Sequence, residues 1–169
     1  MLTLNCNAAT PKAPELVSGI ILLMNREVDS EQAMRSFGQK IGHLLKGGET
    51  LELIGDVGAG KTTFVKGLAL GLGIEEDVQS PSFTISRLYD ARDNLQLAHY
   101  DFYRLSDAGI MADELTETTQ DPTVVTVIEW ADIVEGVLPK DRLSIMFTSP
   151  TETSRHLTVT GPVQIMEKL

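Results

Sequence analysis

The sequence predicts an α/β fold: one domain whose mixed parallel and antiparallel sheet is flanked by helices. Three observations carry this. An apolar, β-friendly run at 50–54 meets a glycine-rich loop and then an amphipathic helical pattern, which is the strand–loop–helix unit of a parallel sheet. Val124-Val125-Thr126-Val127-Ile128 is a β-branched run suited to a strand buried on both faces. Residues 83–89 and 95–103 also read as strands, and only the polar stretch 90–94 joins them. So short a connection implies an antiparallel hairpin.

Taken in order, residues 1–18 contain Pro11 and Pro14 and no sustained periodicity. They are expected to form a flexible N-terminal extension, and residues 19–169 the single domain. Residues 20–28 read as the first strand, and Asp29 or Ser30 can cap the helix that follows. Met34, Phe37, Ile41 and Leu44 mark one face of that helix, which stops at Gly47-Gly48. After the glycine-rich loop, Phe64, Leu68 and Leu72 fall at i, i+4 and i+8, with Val65 and Ala69 beside them. Gly71 and Gly73 end this helix. Pro81 interrupts the pattern at 78–82. Residues 105–115 suggest a short helix, 116–122 a loop, and 143–148 and 156–160 two late strands around a turn at Pro150. No internal repeat or second domain is evident.

The loop itself carries chemistry. Gly55, Gly60, Lys61 and Thr62 fit the phosphate-loop (P-loop) pattern of Gly, four residues, then Gly-Lys-Ser/Thr. Glycines let the backbone close around an anion, and the N–H groups of the loop and of the following helix point at phosphate oxygens. The candidate nucleotide-binding stretch is therefore Gly55, Asp56, Val57, Gly58, Ala59, Gly60, Lys61, Thr62 and Thr63. Lys61 can reach the β- and γ-phosphates from a loop expected to be exposed, and the Thr62 hydroxyl can ligate Mg²⁺. A purine nucleoside triphosphate is the expected ligand, on a P-loop NTPase-like domain.

Composition narrows the partners. The chain has 169 residues, 42% of them apolar, enough for one real core. Its net charge of -10 argues against a broad surface tracking nucleic-acid phosphates, so any role on RNA passes through a partner. The single cysteine, Cys6, can form neither an internal disulfide nor a cysteine metal site. The apolar run 19–24 is too short to span a bilayer and lacks a basic leader. A cytoplasmic protein without membrane association is expected.

Beyond the loop, a nucleotide hydrolase needs an acid for the metal and a group to orient water. Glu129 follows the run ending at Ile128, and ligands in α/β sheets sit beyond the carboxyl ends of strands. Asp101 lies within His99-Tyr100-Asp101-Phe102-Tyr103-Arg104 and shares a strand face with His99 and Tyr103. It is either a site acid or the partner of Arg104. Ser82 and Thr84, just past Pro81, either reach a γ-phosphate or are ordinary turn hydroxyls. Trp130 either covers the nucleotide or simply packs. Arg104 pairs with a phosphate or, by default, with one of the many acids. His43 and His156 look incidental.

Together, Gly55 to Phe64, Ser80-Pro81-Ser82-Phe83-Thr84, His99 to Leu105 and Ile128-Glu129-Trp130 occur in an order and spacing that resembles the TsaE (YjeE) family, small bacterial ATPases of tRNA threonylcarbamoyladenosine synthesis. The likeness covers roughly residues 30–147. It implies ATP and Mg²⁺ as cofactors, TsaB-like and TsaD-like proteins as partners, and contact with tRNA only through that complex. TsaD carries out the transfer beside the anticodon; a TsaE-like chain hydrolyses ATP to sustain the cycle. The resemblance makes Lys61, Asp101 and Glu129 the catalytic candidates and Thr62, Asp101 and Glu129 the metal set. It makes 80–84 the nucleotide-sensing loop, with Trp130 near the nucleotide. This sequence departs from the family pattern at Ser82 and Met34, where Thr is common, at Ala131, where Pro is common, and across 112–121.

Two other functions compete. A small-molecule kinase shares the loop but brings several arginines on a lid, whereas Arg87, Arg92, Arg104 and Arg142 are scattered. A GTP-driven switch needs an Asn/Thr-Lys-x-Asp segment, which is absent. With no arginine plainly placed in cis, slow hydrolysis alone and stimulation by partners are expected.

Overall fold

A computed structural model describes residues 21–151 and 154–169; the expected extension 1–18, with Cys6, lies outside them. The described elements are β1 (Ile21–Val28), α1 (Glu31–Leu44), β2 (Thr50–Ile54), α2 (Lys61–Gly71), β3 (Ser86–Asp90), β4 (Gln96–Asp101), α3 (Met111–Gln120), β5 (Val124–Glu129), β6 (Leu143–Thr148), β7 (Arg155–Pro162) and α4 (Val163–Met166). They build a seven-stranded sheet in the order β1-β7-β6-β2-β5-β4-β3. Strands β6, β2, β5 and β4 run parallel; β3 pairs antiparallel with β4, β7 antiparallel with β6, and β1 antiparallel with β7. The sheet is mixed, as the short 90–94 connection predicted. Among the described residues no helix is long and apolar enough to cross a membrane.

Two layers of helix explain the side-chain pattern of the inner strands. All six residues of β5 are buried. Val125 and Val127 join Leu51, Leu53 and Leu97 in the larger core under α1, α2 and α4. Val124 and Ile128 face the other way, into a smaller core with Leu115 of α3 and with Ala131 and Val134 of the 3-10 segment that follows β5. A strand apolar on both faces has no polar alternate.

Helix α1 starts where Ser30, rather than Asp29, caps it: the Ser30 hydroxyl accepts from the Ala33 amide at 3.2 Å. Its contact with α2 rests on glycines whose role the apolar pattern did not reveal. Gly38 and Gly42 of α1 face Gly67 and Gly71 of α2, and a Cβ on Gly67 would stand 2.1 Å from the Arg35 carbonyl oxygen. The two backbones therefore touch, and the first turn of α2 carries Lys61 to 3.8 Å from Glu129 at the end of β5.

Two expectations need correction. Residues 83–85 are a turn, not the start of a strand. The Pro81 carbonyl accepts from both the Thr84 and Ile85 amides, and Ile85 takes a left-handed φ of 69°. Phe83 is 84% exposed, so no core recruits it into the sheet. The helix expected over 105–115 instead spans α3 and includes most of the predicted loop. Gly109, at φ 50°, keeps the chain non-helical before it. Leu115 anchors the helix, and the hydroxyls of Thr116, Thr118 and Thr119 bond back to helix carbonyls. Tertiary packing overrides the weak helix propensity of threonine here.

Gly67→Ala tests the close approach by sign. In an ordinary helix it would stabilise by up to about 1 kcal/mol. Here the overpacked contact is expected to destabilise by roughly 1–3 kcal/mol, read as a lower urea midpoint.

Candidate active site

The site is built where four parallel strands end together. Leu53 of β2 and Asp101 of β4 both pair in register with Glu129 of β5, so the loop after β2 and the two acids meet at one carboxyl edge. Gly60 caps α2 with φ 105°, a left-handed conformation that lets the loop turn its N–H groups inward. The amides of Lys61, Thr62 and Thr63 open the helix without intrahelical acceptors.

Lys61 is not on an exposed loop, as the sequence suggested; it is 4% exposed. Its ammonium donates to the Gly55 carbonyl at 2.7 Å and to that of Asp56 at 3.1 Å. It stands 3.8 Å from Glu129 Oε2 and 4.8 Å over the Trp130 ring. The reason is the register: the first turn of α2 lies against the ends of β2 and β5, and a cation there answers a buried carboxylate. Glu129 takes its other contact from His99, whose Nε2 lies 3.0 Å from Oε1 with both residues buried.

Asp101 is held by the 80–82 loop and not by Arg104. Its Oδ2 accepts from Ser80 Oγ at 2.6 Å and from Ser82 Oγ, and its Oδ1 accepts from the Tyr103 amide at 3.0 Å. Burial pushes its pKa up, but these donors and the nearby His99 outweigh that and hold it below the ordinary carboxylate value. A lowered folded pKa means the ionised contacts stabilise above about pH 4 and weaken only as pH falls through that lowered value. At neutral pH, Asp101 is an anion clasping the loop.

A cavity of about 400 Å³ joins these groups. Of the residues singled out from sequence, Val57, Gly58, Gly60, Lys61, Thr62, Thr63, Ser82, Asp101, Glu129 and Trp130 line it. Gly55 and Asp56 contribute the carbonyls that hold Lys61, and Ala59 is buried in the main core. Thr84 is exposed and off the lining. Trp130 does two things: it forms part of the wall and packs on Tyr103, with ring centroids 4.9 Å apart. The sequence marks His99 and Tyr103 only as neighbours of Asp101 on one strand face, and Phe83 only as part of the 80–84 loop. Tyr103 and Phe83 line the cavity, and the alternation that puts His99 beside Asp101 was the one available signal for the histidine. Arg104 pairs with no carboxylate among the described residues; its guanidinium lies 4.4 Å over the Phe83 ring, at the cavity wall.

Comparison with known proteins gives the family. The model of the family described as threonylcarbamoyl adenosine biosynthesis protein TsaE matches residues 28–157. A Treponema pallidum protein named tRNA threonylcarbamoyladenosine biosynthesis protein TsaE is 40% identical over 130 residues, covering 77% of this chain and 95% of that one. The Bacillus subtilis protein of the same name is 42% identical, covering 69% and 72%. The crystal structure of Bacillus subtilis YdiB superposes with a TM-score of 0.72 at 32% identity, covering 89% of this chain and 96% of the other, and it shares the P-loop NTPase fold. The chain belongs to the TsaE family of threonylcarbamoyladenosine biosynthesis.

Proposed function

We propose that this chain is a Mg²⁺-dependent ATPase that supports TsaB- and TsaD-dependent threonylcarbamoyladenosine modification of tRNA, without itself carrying out the transfer. The observation that carries this reading is the convergence of Lys61, Thr62, Asp101 and Glu129 on one cavity at the end of a P-loop. Family membership supplies the pathway.

In this reading the amides of 56–63 cradle the phosphates. Lys61 moves from the Gly55 and Asp56 carbonyls to the β- and γ-phosphates. The oxygen of a water attacks the γ-phosphorus, the bond to the β–γ bridging oxygen breaks with its electron pair going to ADP, and the water's proton leaves to a carboxylate or to the phosphate. Glu129, oriented by His99, is the group suited to align that water.

The donor set fits magnesium. Thr62, Asp101 and Glu129 are oxygen donors on one cavity. Among the described residues no cluster of three or more acid, histidine or cysteine side chains could hold an ion, and Mg²⁺ characteristically uses one or two carboxylates, phosphate oxygens and waters instead of a protein cage. Thr62 would hold it directly, with Asp101 and Glu129 meeting it or its waters. When bound, it would offset phosphate charge.

The kinase alternative has no support here. Arg87 pairs with Glu76, Arg92 bonds the carbonyls of Gly71 and Leu45, and Arg142 bridges Glu52 and Glu135. Among the described residues only the arginine Arg104 reaches the cavity, so they form no arginine lid over an acceptor. The net charge of -10 favours access to tRNA through a partner, and a cytoplasmic site of action follows from that pathway.

Three outcomes are expected. Lys61→Ala should cost about 100-fold or more in ATP turnover and, because it leaves Glu129 buried without its cation, should also lower thermal stability; wild-type turnover in the folded variant would remove Lys61 from the site. Glu129→Gln keeps volume but not charge, and turnover at saturating Mg²⁺ should fall by about 100-fold, with the circular-dichroism spectrum unchanged. Asp101→Asn is the parallel measurement for the second acid. ATP turnover should be slow for the chain alone and rise when TsaB and TsaD are added, while tRNA binding by the chain alone should be undetectable in a gel-shift titration. Full-rate hydrolysis by the isolated chain, or tight tRNA binding, would refute partner dependence.

A further inference from the structure

Resting on the ATPase reading, we propose that Arg104 supplies, from within the chain, the cation that contacts the γ-phosphate. Among the described residues, the cavity wall holds two cationic side chains, Lys61 and Arg104. Lys61 is engaged by two carbonyls and Glu129. Arg104 is not engaged by any acid among the described residues, although the chain carries 24 Asp and Glu against 14 Lys and Arg. Arg35, Arg87, Arg92 and Arg142 each stand beside a carboxylate; Arg26, like Arg104, stacks on a phenylalanine instead, but it does not line the cavity. A guanidinium left without an acid in so acidic a chain, and turned to a phosphate-binding cavity, is placed for an anionic ligand.

Its mounting suits that task. The turn carrying Arg104 is fixed at both site acids: the Tyr103 amide donates to Asp101 Oδ1, and the Phe102 amide donates to the Glu129 carbonyl at 3.1 Å. The Leu105 amide closes the turn on the Phe102 carbonyl at 2.9 Å. The backbone is therefore held, while the side chain is more than a third exposed and accessible to a ligand. In the structure it rests on Phe83, itself at the cavity wall and almost fully exposed. Stacking on a solvated ring is a weaker hold than paired N–H bonds to phosphate oxygens, so a γ-phosphate takes the guanidinium from the ring. As the water oxygen bonds to the γ-phosphorus and the bridging bond releases its electrons to ADP, Arg104 N–H groups donate to the γ-phosphoryl oxygens, where charge is spread. ADP offers no such group, and with ADP the arginine stays on Phe83.

The test compares wild type, Arg104→Ala and Arg104→Lys by calorimetry with Mg²⁺ and either ADP or a non-hydrolysable ATP analogue. Wild type is expected to prefer the triphosphate analogue by about tenfold or more, the scale of one charged hydrogen bond. Arg104→Ala should bring the two affinities together while leaving that for ADP within about threefold of wild type, since nothing else on the wall changes. Arg104→Lys should restore part of the preference, because it keeps the charge and loses the fork. With TsaB and TsaD present, ATP turnover of Arg104→Ala should drop about 100-fold. An Arg104→Ala protein that keeps the wild-type preference overturns the proposal, as does a wild type that binds both nucleotides equally. If wild type shows no turnover even with its partners, the ATPase reading falls, while the binding ratio still decides whether Arg104 contacts the γ-phosphate.

Discussion

Glu129 is a carboxylate delivered to the interior by a strand buried along its whole length, and the site is organised by how that charge is met. His99 comes from β4 and Lys61 from the first turn of α2. Meeting one buried charge therefore ties together two parallel strands and the helix that opens the phosphate loop. In a poorly solvated setting each of these contacts is strengthened, and losing one partner leaves the others exposed to the full desolvation penalty. The glycine-mediated seat of α2 on α1 serves the same end, since a helix held farther out could not bring Lys61 to Glu129. Folding thus sets the positions of loop, cation and acid before any phosphate arrives, which is the preorganisation that electrostatic catalysis draws on.

Around this fixed centre the backbone is strained at two places. Ile85 has φ 69° and Trp130 φ 58°, values that cost a non-glycine residue energy, most of all a β-branched one. Ile85 ends the loop whose Ser80 and Ser82 hold Asp101, and Trp130 follows Glu129 directly. That loop is thus held by hydroxyl contacts to one anion and strained at its end.

Much of this was legible in the sequence where the signal is contiguous. The phosphate loop, both its flanks, the fully buried β5 and the β3–β4 hairpin were read from local pattern and connection length. Glu129 was a candidate because strand ends mark ligand sites in parallel sheets, whereas Asp101 rested on strand alternation and on the family resemblance. What escaped depends on partners distant in the chain. The burial of Lys61 follows from β5, and the left-handed Ile85 from a turn closed by Pro81. Helix α3 follows from Leu115 reaching the smaller core and from threonine hydroxyls bonding back to its carbonyls. The glycines of α1 and α2 read as a helix stop or as neutral positions, because their meaning exists only where two backbones touch. Arg104 was assigned an acid by default, and its stacking on Phe83 could be seen only once the turn had exposed that ring.

The chain's single tryptophan stands in the cavity wall, packed between Tyr103 and the ammonium of Lys61, so its fluorescence reports directly on whether a nucleoside triphosphate enters this cavity. The decisive measurement is a titration of Trp130 emission with ATP, with and without Mg²⁺, alongside calorimetry on the same samples. The expected result is a saturable one-site change whose midpoint matches the calorimetric dissociation constant and tightens when Mg²⁺ is added. Calorimetric binding of ATP with no response from Trp130 would contradict the assignment of this cavity as the nucleotide site.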